Sequence, residues 1–143
     1  MAAESSASTV WEGDLAHGGG TTTPSSGAFP AVEVTWASRT NRAHGKTSPE
    51  ELLAAAHASC YCMALSNELA GSGTPPESLE ATATVAFVPG EGVKSSHIVV
   101  RGQVPGIDQD AFSGAARAAG EGCPISGALK GNIEITVDAT LES

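Results

Sequence analysis

Three cysteines are the residues of this chain best suited to redox chemistry. Cys60 and Cys62 lie two positions apart in an apolar stretch, and Cys123 stands directly before Pro124. Two residues at that spacing in a helix point about 200° apart, so Cys60 and Cys62 cannot form a disulfide with each other while the helix is intact. Their spacing also differs from the C-x-x-C of many dithiol redox sites. Only one of the two is therefore expected to serve any given site.

The position of Cys123 favours a functional role for the cysteines over a purely structural one. A free cysteine in an apolar helix is most often an inert buried side chain. The Cys123–Pro124 pair, however, predicts a cysteine at the start of a short helix, where the dipole and unpaired N–H groups favour a thiolate. This residue and a cysteine on a buried helix could form a dithiol pair, distant in sequence and adjacent in space. From the residues alone, a purely structural role stays an open alternative.

A thiolate on a buried helix needs a positive neighbour, because burial alone raises the pKa of a cysteine. The candidates lie in the polar segment before the helix: Arg39, Arg42, His44 and Lys46. Arginine suits the role best, since it stays charged and offers several N–H donors. Glu50 is the natural partner that would hold such an arginine in place.

Glu50 stands ten residues before Cys60 on the predicted helix. That separation is about 15 Å along the axis at about 1.5 Å per residue, too far for one small site within one chain. If the two residues share a site, we expect Glu50 to come from a second copy, with the two helices antiparallel about a two-fold axis. The alternative is that Glu50 is a first-turn carboxylate that only favours the helix dipole.

Metal and nucleotide sites are not indicated by the sequence. His57 and Cys60 form an H-x-x-C pair, but two ligands do not make a site and no other Cys/His cluster has zinc spacing. The glycines at 18–20 have neither the following lysine nor the helix start of a phosphate-binding loop. We therefore predict no cofactor and no metal.

The element that must position this chemistry is a helix over 48–71. Ser48 is a good N-cap, Pro49 suits the first helical position, and Glu51 completes a capping box. Gly71 is a typical residue to end the helix in a left-handed conformation. Apolar residues fall on every face, which predicts a buried helix.

The other elements follow from alternation and turn residues. Strands are predicted at 9–15, 21–23, 32–36, 79–88, 97–104 and 133–138, helices at 108–119 and 123–130, and a polar loop at 38–47. The order β-β-β-α-β-β-α-α-β, with strands joined by hairpins, predicts an α+β fold with antiparallel sheets around a long buried central helix. Residues 1–8 are expected to form a flexible tail, and 9–143 a single domain.

Composition excludes several classes of partner. The net charge of −9 argues against nucleic acid or an anionic membrane surface, since either would need a basic face. No stretch approaches the roughly 18–20 apolar residues that span a bilayer. The first eight residues lack the features of a signal peptide, and three cysteines are an odd number for a secreted disulfide scaffold. The expected location is the cytoplasm.

Two long motifs resemble those of a known family. The segment TSPEELLAAAHASCYCMALSNEL at 47–69 resembles the T-N-P-E-E-L-x-x-A-A-H-A-x-C-x-x-M-A-L-S segment of the OsmC/Ohr family. EGCPISGALK at 121–130 is similar to the family's second cysteine motif, and WEGD at 11–14 also matches. The histidine of AAHASC and the serine of CPIS resemble the OsmC branch more than the Ohr branch.

The resemblance implies an intertwined homodimer that reduces organic hydroperoxides with thiols and without a bound cofactor, in oxidative or osmotic stress defence. Cys60 matches the family's peroxide-attacking cysteine, and Cys123 the resolving cysteine with which it forms a disulfide. Glu50 matches the glutamate that orients the active-site arginine. Arg39 is our choice for that arginine and Arg42 the alternative, because the loop here is about one residue longer than usual.

The implied partners are an organic hydroperoxide as substrate and an external dithiol as reductant. Cys62 stands where many family members carry serine, so it is not expected to be required. Two other functions remain as alternatives from the residues. One is a binding module whose apolar cleft holds a hydrophobic ligand, and the other is a redox sensor whose disulfide alters a partner contact.

Overall fold

The computed structural model describes residues 1–41 and 45–142. The chain forms two compact units, Met1–Leu52 and Leu53–Ser143, called here the first and second unit. None of the described helices is long and apolar enough to cross a membrane.

The first unit contains a three-stranded antiparallel sheet. Its strands are β1 (Ala7–Glu12), β2 (Gly19–Pro24) and β3 (Val32–Val34), in the order β1-β2-β3. β1 begins at Ala7 and so includes the last two residues of the predicted tail. Trp11 lies opposite Gly20, and a Cβ at Gly20 would stand 2.8 Å from the Trp11 ring. The glycine therefore lets the indole lie flat across the sheet.

A short helix, α1 (Trp36–Asn41), replaces part of the predicted strand and loop. β3 ends at Val34, because Thr35 and Ser38 exchange hydrogen bonds that start a helix. The Ser38 N–H donates to Thr35 Oγ1 at 3.0 Å, and the Thr35 N–H donates to Ser38 Oγ at 2.9 Å. This is a capping box with serine in the place of glutamate. The T-x-x-S spacing could have revealed the helix from sequence.

The central helix, α2 (Pro49–Gly71), begins as predicted. The buried Ser48 hydroxyl accepts the N–H of Glu51 at 3.1 Å, whereas the Glu51 carboxylate accepts a hydrogen bond from the Thr47 hydroxyl at 2.6 Å. The helix ends at the predicted residue, but its left-handed residue lies two positions later. Gly71 is the last helical residue, and the left-handed position is Gly73, at φ 81°.

One stripe of α2 is fully buried, rather than every face. The stripe contains residues four positions apart: His57, Tyr61, Leu65 and Leu69. Met63 lies on another face and is 73% exposed. The prediction of a buried helix therefore holds for this stripe, whereas the apolar residues on the other faces of α2 have no complete cover within the single chain.

The second unit contains a mixed three-stranded sheet in the order β4-β5-β6. β4 (Ser78–Val88) and β5 (Gly92–Gln103) form the predicted antiparallel hairpin, and β6 (Glu134–Leu141) pairs with β5 in parallel. A parallel pair needs a crossover, which the two intervening helices supply. The α+β class is confirmed, and the parallel pair was not predicted.

Those helices are α3 (Gln109–Gly122) and α4 (Pro124–Leu129). α3 begins with the predicted cap, since Asp108 accepts the N–H of Ala111 at 2.9 Å. It continues past the predicted end at Ala119, and its last backbone bond runs from the Cys123 N–H to the Ala119 carbonyl at 2.8 Å. Pro124 has no N–H with which to extend it. Cys123 therefore ends one helix and starts the next.

The core of the second unit forms where α2 and α3 meet the sheet. Tyr61, Leu65, Ile98 and Phe112 are completely buried. A Cβ at Gly102 would stand 2.6 Å from the Phe112 ring, so glycine is needed for that ring to lie against β5. The Tyr61 hydroxyl donates to the Ala116 carbonyl at 2.7 Å and ties α2 to α3. These contacts fix α2 relative to the α3–α4 junction.

Candidate active site

Cys60 and Cys123 come together within the second unit. α2 supplies Cys60, and the junction of α3 and α4 supplies Cys123. Both are free thiols and they interact directly through their sulfurs. Cys123 is 1% exposed, whereas Cys60 is only partly buried. The two residues, distant in sequence, therefore form a dithiol pair with one accessible member.

The accessible member lines an open cleft of about 340 Å³. Its walls include Met63, Asn67 and Glu68 from α2, and Ala119 and Gly122 from α3. A small molecule can reach the Cys60 side chain through this cleft, whereas the buried Cys123 does not line it.

The two thiols differ in acidity. Burial raises the pKa of Cys60, the backbone N–H of Ile125 lowers it, and the neighbouring Cys123 raises it, so the net change is upward. Burial also raises the pKa of Cys123, but the N–H and hydroxyl of Ser126, the Cys60 side chain and the N–H of Ile125 together lower it below its ordinary value. Cys123 makes no capping hydrogen bond of ordinary geometry, yet these donors lie close enough to favour its thiolate.

No cation is among the described groups that shift the pKa of Cys60. Partial burial therefore favours the neutral thiol of Cys60, as expected where no described cation lies beside it. The pKa of Cys123 is lowered because hydrogen bonding from α4 and from the Cys60 side chain outweighs burial.

Arg39 and Glu50 form a paired site in the first unit. The Arg39 Nε donates to Glu50 Oε1 at 3.0 Å and Nη2 donates to Oε2 at 2.9 Å, so the guanidinium binds both carboxylate oxygens. The Glu50 side chain is 2% exposed and that of Arg39 30% exposed. The guanidinium also lies 5.9 Å from the centre of the Trp36 ring. Arg42 lies outside the described residues, as does His44, so the structure describes only one of the two candidate arginines.

An apolar pocket of about 330 Å³ adjoins Arg39 in the first unit. Its walls include Trp11, Leu15, Trp36 and Leu52. Trp11 is held by its indole N–H, which donates to the Gly13 carbonyl at 2.9 Å. Trp11 of the WEGD segment thus forms part of the wall of an apolar pocket that also includes the cation of Arg39.

His57 is a buried histidine held between two serine hydroxyls. It is completely buried, with Nδ1 2.6 Å from Ser96 Oγ and Nε2 2.7 Å from Ser126 Oγ. Both ring nitrogens are thus engaged by hydroxyls, and burial lowers the pKa of His57. Among residues 1–41 and 45–142, no group of three or more His, Cys, Asp or Glu side chains could hold a metal ion.

Ser96 and Ser126 were not predicted as functional residues. Ser126 belongs to the CPIS motif, which offered some indication, whereas Ser96 is a buried polar residue on the face of β5 that also buries Ile98 and Val100. A buried serine in such a strand needs a polar partner, and that requirement could have drawn attention to it.

Cys62 faces away from the dithiol pair. Burial raises the pKa of its thiol, while the backbone N–H of Ala81 in β4 lowers it, and the net change is upward. Its neighbours are therefore on β4, and those of Cys60 are on the α3–α4 junction. Cys60 and Cys62 therefore lie in different environments.

Comparison with known proteins gives consistent results. Residues 42–138 match the family model described as OsmC-like protein. The chain is 40% identical over 136 residues to Peroxiredoxin OsmC of Escherichia coli (strain K12) and to that of Shigella flexneri, covering 93% of this chain and of each relative. Its fold is similar to that of the organic hydroperoxide resistance protein OhrB of Bacillus subtilis, with a TM-score of 0.70, 23% identity and coverage of 94% and 97%. An OsmC-like protein from Mycoplasma pneumoniae gives a TM-score of 0.74, with 17% identity and coverage of 99% of each chain. The predicted family is confirmed: this chain belongs to the OsmC-like protein family.

Proposed function

We propose that this chain is a thiol peroxidase that reduces organic hydroperoxides to alcohols, with Cys60 as the attacking residue and Cys123 as the resolving residue. The observation that carries the proposal is the contact between a cleft-facing thiol and a buried, acidified thiol. The curated relatives at 40% identity are named peroxiredoxin, which supports this class of reaction.

The first step is oxidation of Cys60. Its thiolate attacks the terminal peroxide oxygen, an S–O bond forms, and the O–O bond breaks. The alkoxide leaves and takes a proton to become the alcohol. Cys60 is left as a sulfenic acid.

The second step is resolution by Cys123. Its thiolate attacks the Cys60 sulfur, the S–S bond forms, and the S–O bond breaks with loss of hydroxide, which takes a proton to become water. The lowered pKa of Cys123 suits this step, because the thiolate is the nucleophile. An external dithiol then reduces the disulfide by exchange and is itself oxidised.

We further propose that the protein acts as a homodimer in which Arg39 and Glu50 of one copy complete the site of the other. Cys60 needs a cation that the described part of its own chain does not supply. The Arg39–Glu50 pair is joined by two hydrogen bonds and stands beside an apolar pocket suited to an organic substituent. The exposed apolar side chains of Trp11, Leu15 and Met63 support coverage by a second copy.

The test is a count of free thiols before and after one equivalent of cumene hydroperoxide. Two thiols per chain should be lost in the wild type and in the control Cys62→Ser, and none in Cys60→Ser. Survival of all thiols, with the peroxide not consumed, would refute the peroxidase. Repeated turnover with a dithiol distinguishes the enzyme from a sensor that reacts once.

A further inference from the structure

A row of buried hydrogen-bonded side chains leads from β5 to the Cys123 thiol. It consists of Ser96, His57 and Ser126, which are all nearly or completely buried. The two hydrogen bonds of the ring are 2.6 Å and 2.7 Å long. The Ser126 hydroxyl in turn lies close enough to Cys123 to favour its thiolate. The row therefore reaches the dithiol pair through Cys123, the member that does not line the open cleft.

The direction of these hydrogen bonds follows from the number of hydrogens. A neutral imidazole has one N–H and one acceptor nitrogen, and each hydroxyl has one hydrogen. If Ser96 donates to Nδ1, then Nε2–H donates to Ser126 Oγ, and the Ser126 hydrogen is left for the sulfur. In the reverse direction the Ser96 hydrogen would have no acceptor among the described residues. A buried donor without an acceptor is unfavourable, so the first direction is preferred.

We propose that His57 is a positioning residue for disulfide formation, holding the Ser126 hydroxyl in the orientation that stabilises the Cys123 thiolate. This inference rests on the proposed function in one respect, since it assigns Cys123 the resolving step. His57 itself exchanges no proton in this role, since burial lowers its pKa and so favours the neutral ring.

The neighbours of Cys123 allow its ionisation to be measured alone. The titratable groups around it are Cys60, His57 and Tyr61, all from α2. With Cys60→Ser and Cys62→Ser, Cys123 becomes the only thiol, and thiolate absorbance in the ultraviolet follows its titration. Tyr61 is the only tyrosine in the chain, and burial raises its pKa far above the range of the thiol.

In that background, Ser126→Ala and His57→Leu should each raise the titration midpoint of Cys123. We expect about tenfold less thiolate at a fixed pH below the midpoint, equivalent to about 1.4 kcal/mol. His57→Gln should retain most of the wild-type behaviour, because its side-chain amide can still donate to Ser126. Tyr61→Phe is the matched control, since it removes another buried 2.7 Å hydrogen bond in the same core and should leave the midpoint unchanged.

An unchanged midpoint in His57→Leu would overturn the proposal, and so would equal midpoints in His57→Leu and His57→Gln. If His57→Leu does not fold, as judged by circular dichroism, Ser96→Ala replaces it. That variant frees the ring to reverse its hydrogen bonds and should raise the midpoint by a smaller amount, whereas no change would contradict the proposed direction. The titration uses no peroxide, so its result is independent of whether the peroxidase assignment stands.

Discussion

The Arg39–Glu50 pair yields a prediction whose size can be worked out from its geometry. Glu50→Gln keeps the shape of the side chain but removes its charge and one of the two acceptor oxygens. The new NH2 group of the glutamine would face a guanidinium N–H, so one charged hydrogen bond is replaced by a contact between two donors. Hydrogen bonds to charged groups contribute about 1.5–3 kcal/mol, and the partial exposure of Arg39 places the expected loss near the lower end, at about 1.5 kcal/mol.

Urea unfolding followed by circular dichroism measures this loss as a fall in the free energy of unfolding. Glu50→Gln should lower the free energy of unfolding by about 1.5 kcal/mol, without changing its slope against urea concentration. Peroxide consumption should fall by more than about tenfold, since loss of the arginine's orientation removes stabilisation of the thiolate. Arg39→Ala should show the same loss of activity.

Arg42→Ala is the matched control, because it removes the same type of side chain three positions away. We expect it to retain wild-type activity. Arg39→Ala with full activity would refute the assignment of the arginine, and Glu50→Gln with unchanged unfolding would refute the energetic argument for the pair.

Three other predictions concern the core, the buried histidine and the third cysteine. Gly102→Ala should lower the free energy of unfolding in urea by about 1–3 kcal/mol, since the new Cβ would displace the Phe112 ring, and an unaffected variant would contradict the close approach. The pKa of His57 is lowered below the unfolded value of 6.5, so the unfolded chain binds more protons and stability should fall as the pH drops below about 6.5. His57→Gln should show a smaller fall in unfolding free energy between neutral and mildly acidic pH, and an equal fall would mean that His57 is not responsible. Cys62→Ser should leave the rate of peroxide consumption within about twofold of the wild type, because its thiol faces β4, and a loss of an order of magnitude would assign it a role.

Local features of the fold could be predicted from the sequence where neighbouring residues determine them. The start of α2 depends on Ser48 and its next three residues, and the start of α3 depends on Asp108 and Ala111, so both were found. α1 was missed because Ser38 occupies the position where a glutamate usually completes a capping box. Gly71 and Gly73 are equally good candidates for the left-handed residue by sequence, and the structure has Gly73 in that conformation.

Features that depend on residues far apart in the sequence were harder to predict. The parallel pairing of β5 with β6 depends on how two helices cross the sheet, which hairpin-like spacing does not reveal. The pairing of Cys60 with Cys123 could be expected from motif resemblance and from the helix start. The hydrogen bonds of His57 join residues 39 and 69 positions apart, and no local pattern in the sequence indicates them.

The central claim is that Cys60 and Cys123 are the working dithiol. The most direct measurement is disulfide mapping by mass spectrometry after one equivalent of cumene hydroperoxide. The account predicts a peptide pair joined through Cys60 and Cys123, with Cys62 still a free thiol. An unmodified Cys60, or a disulfide that excludes Cys123, would contradict it.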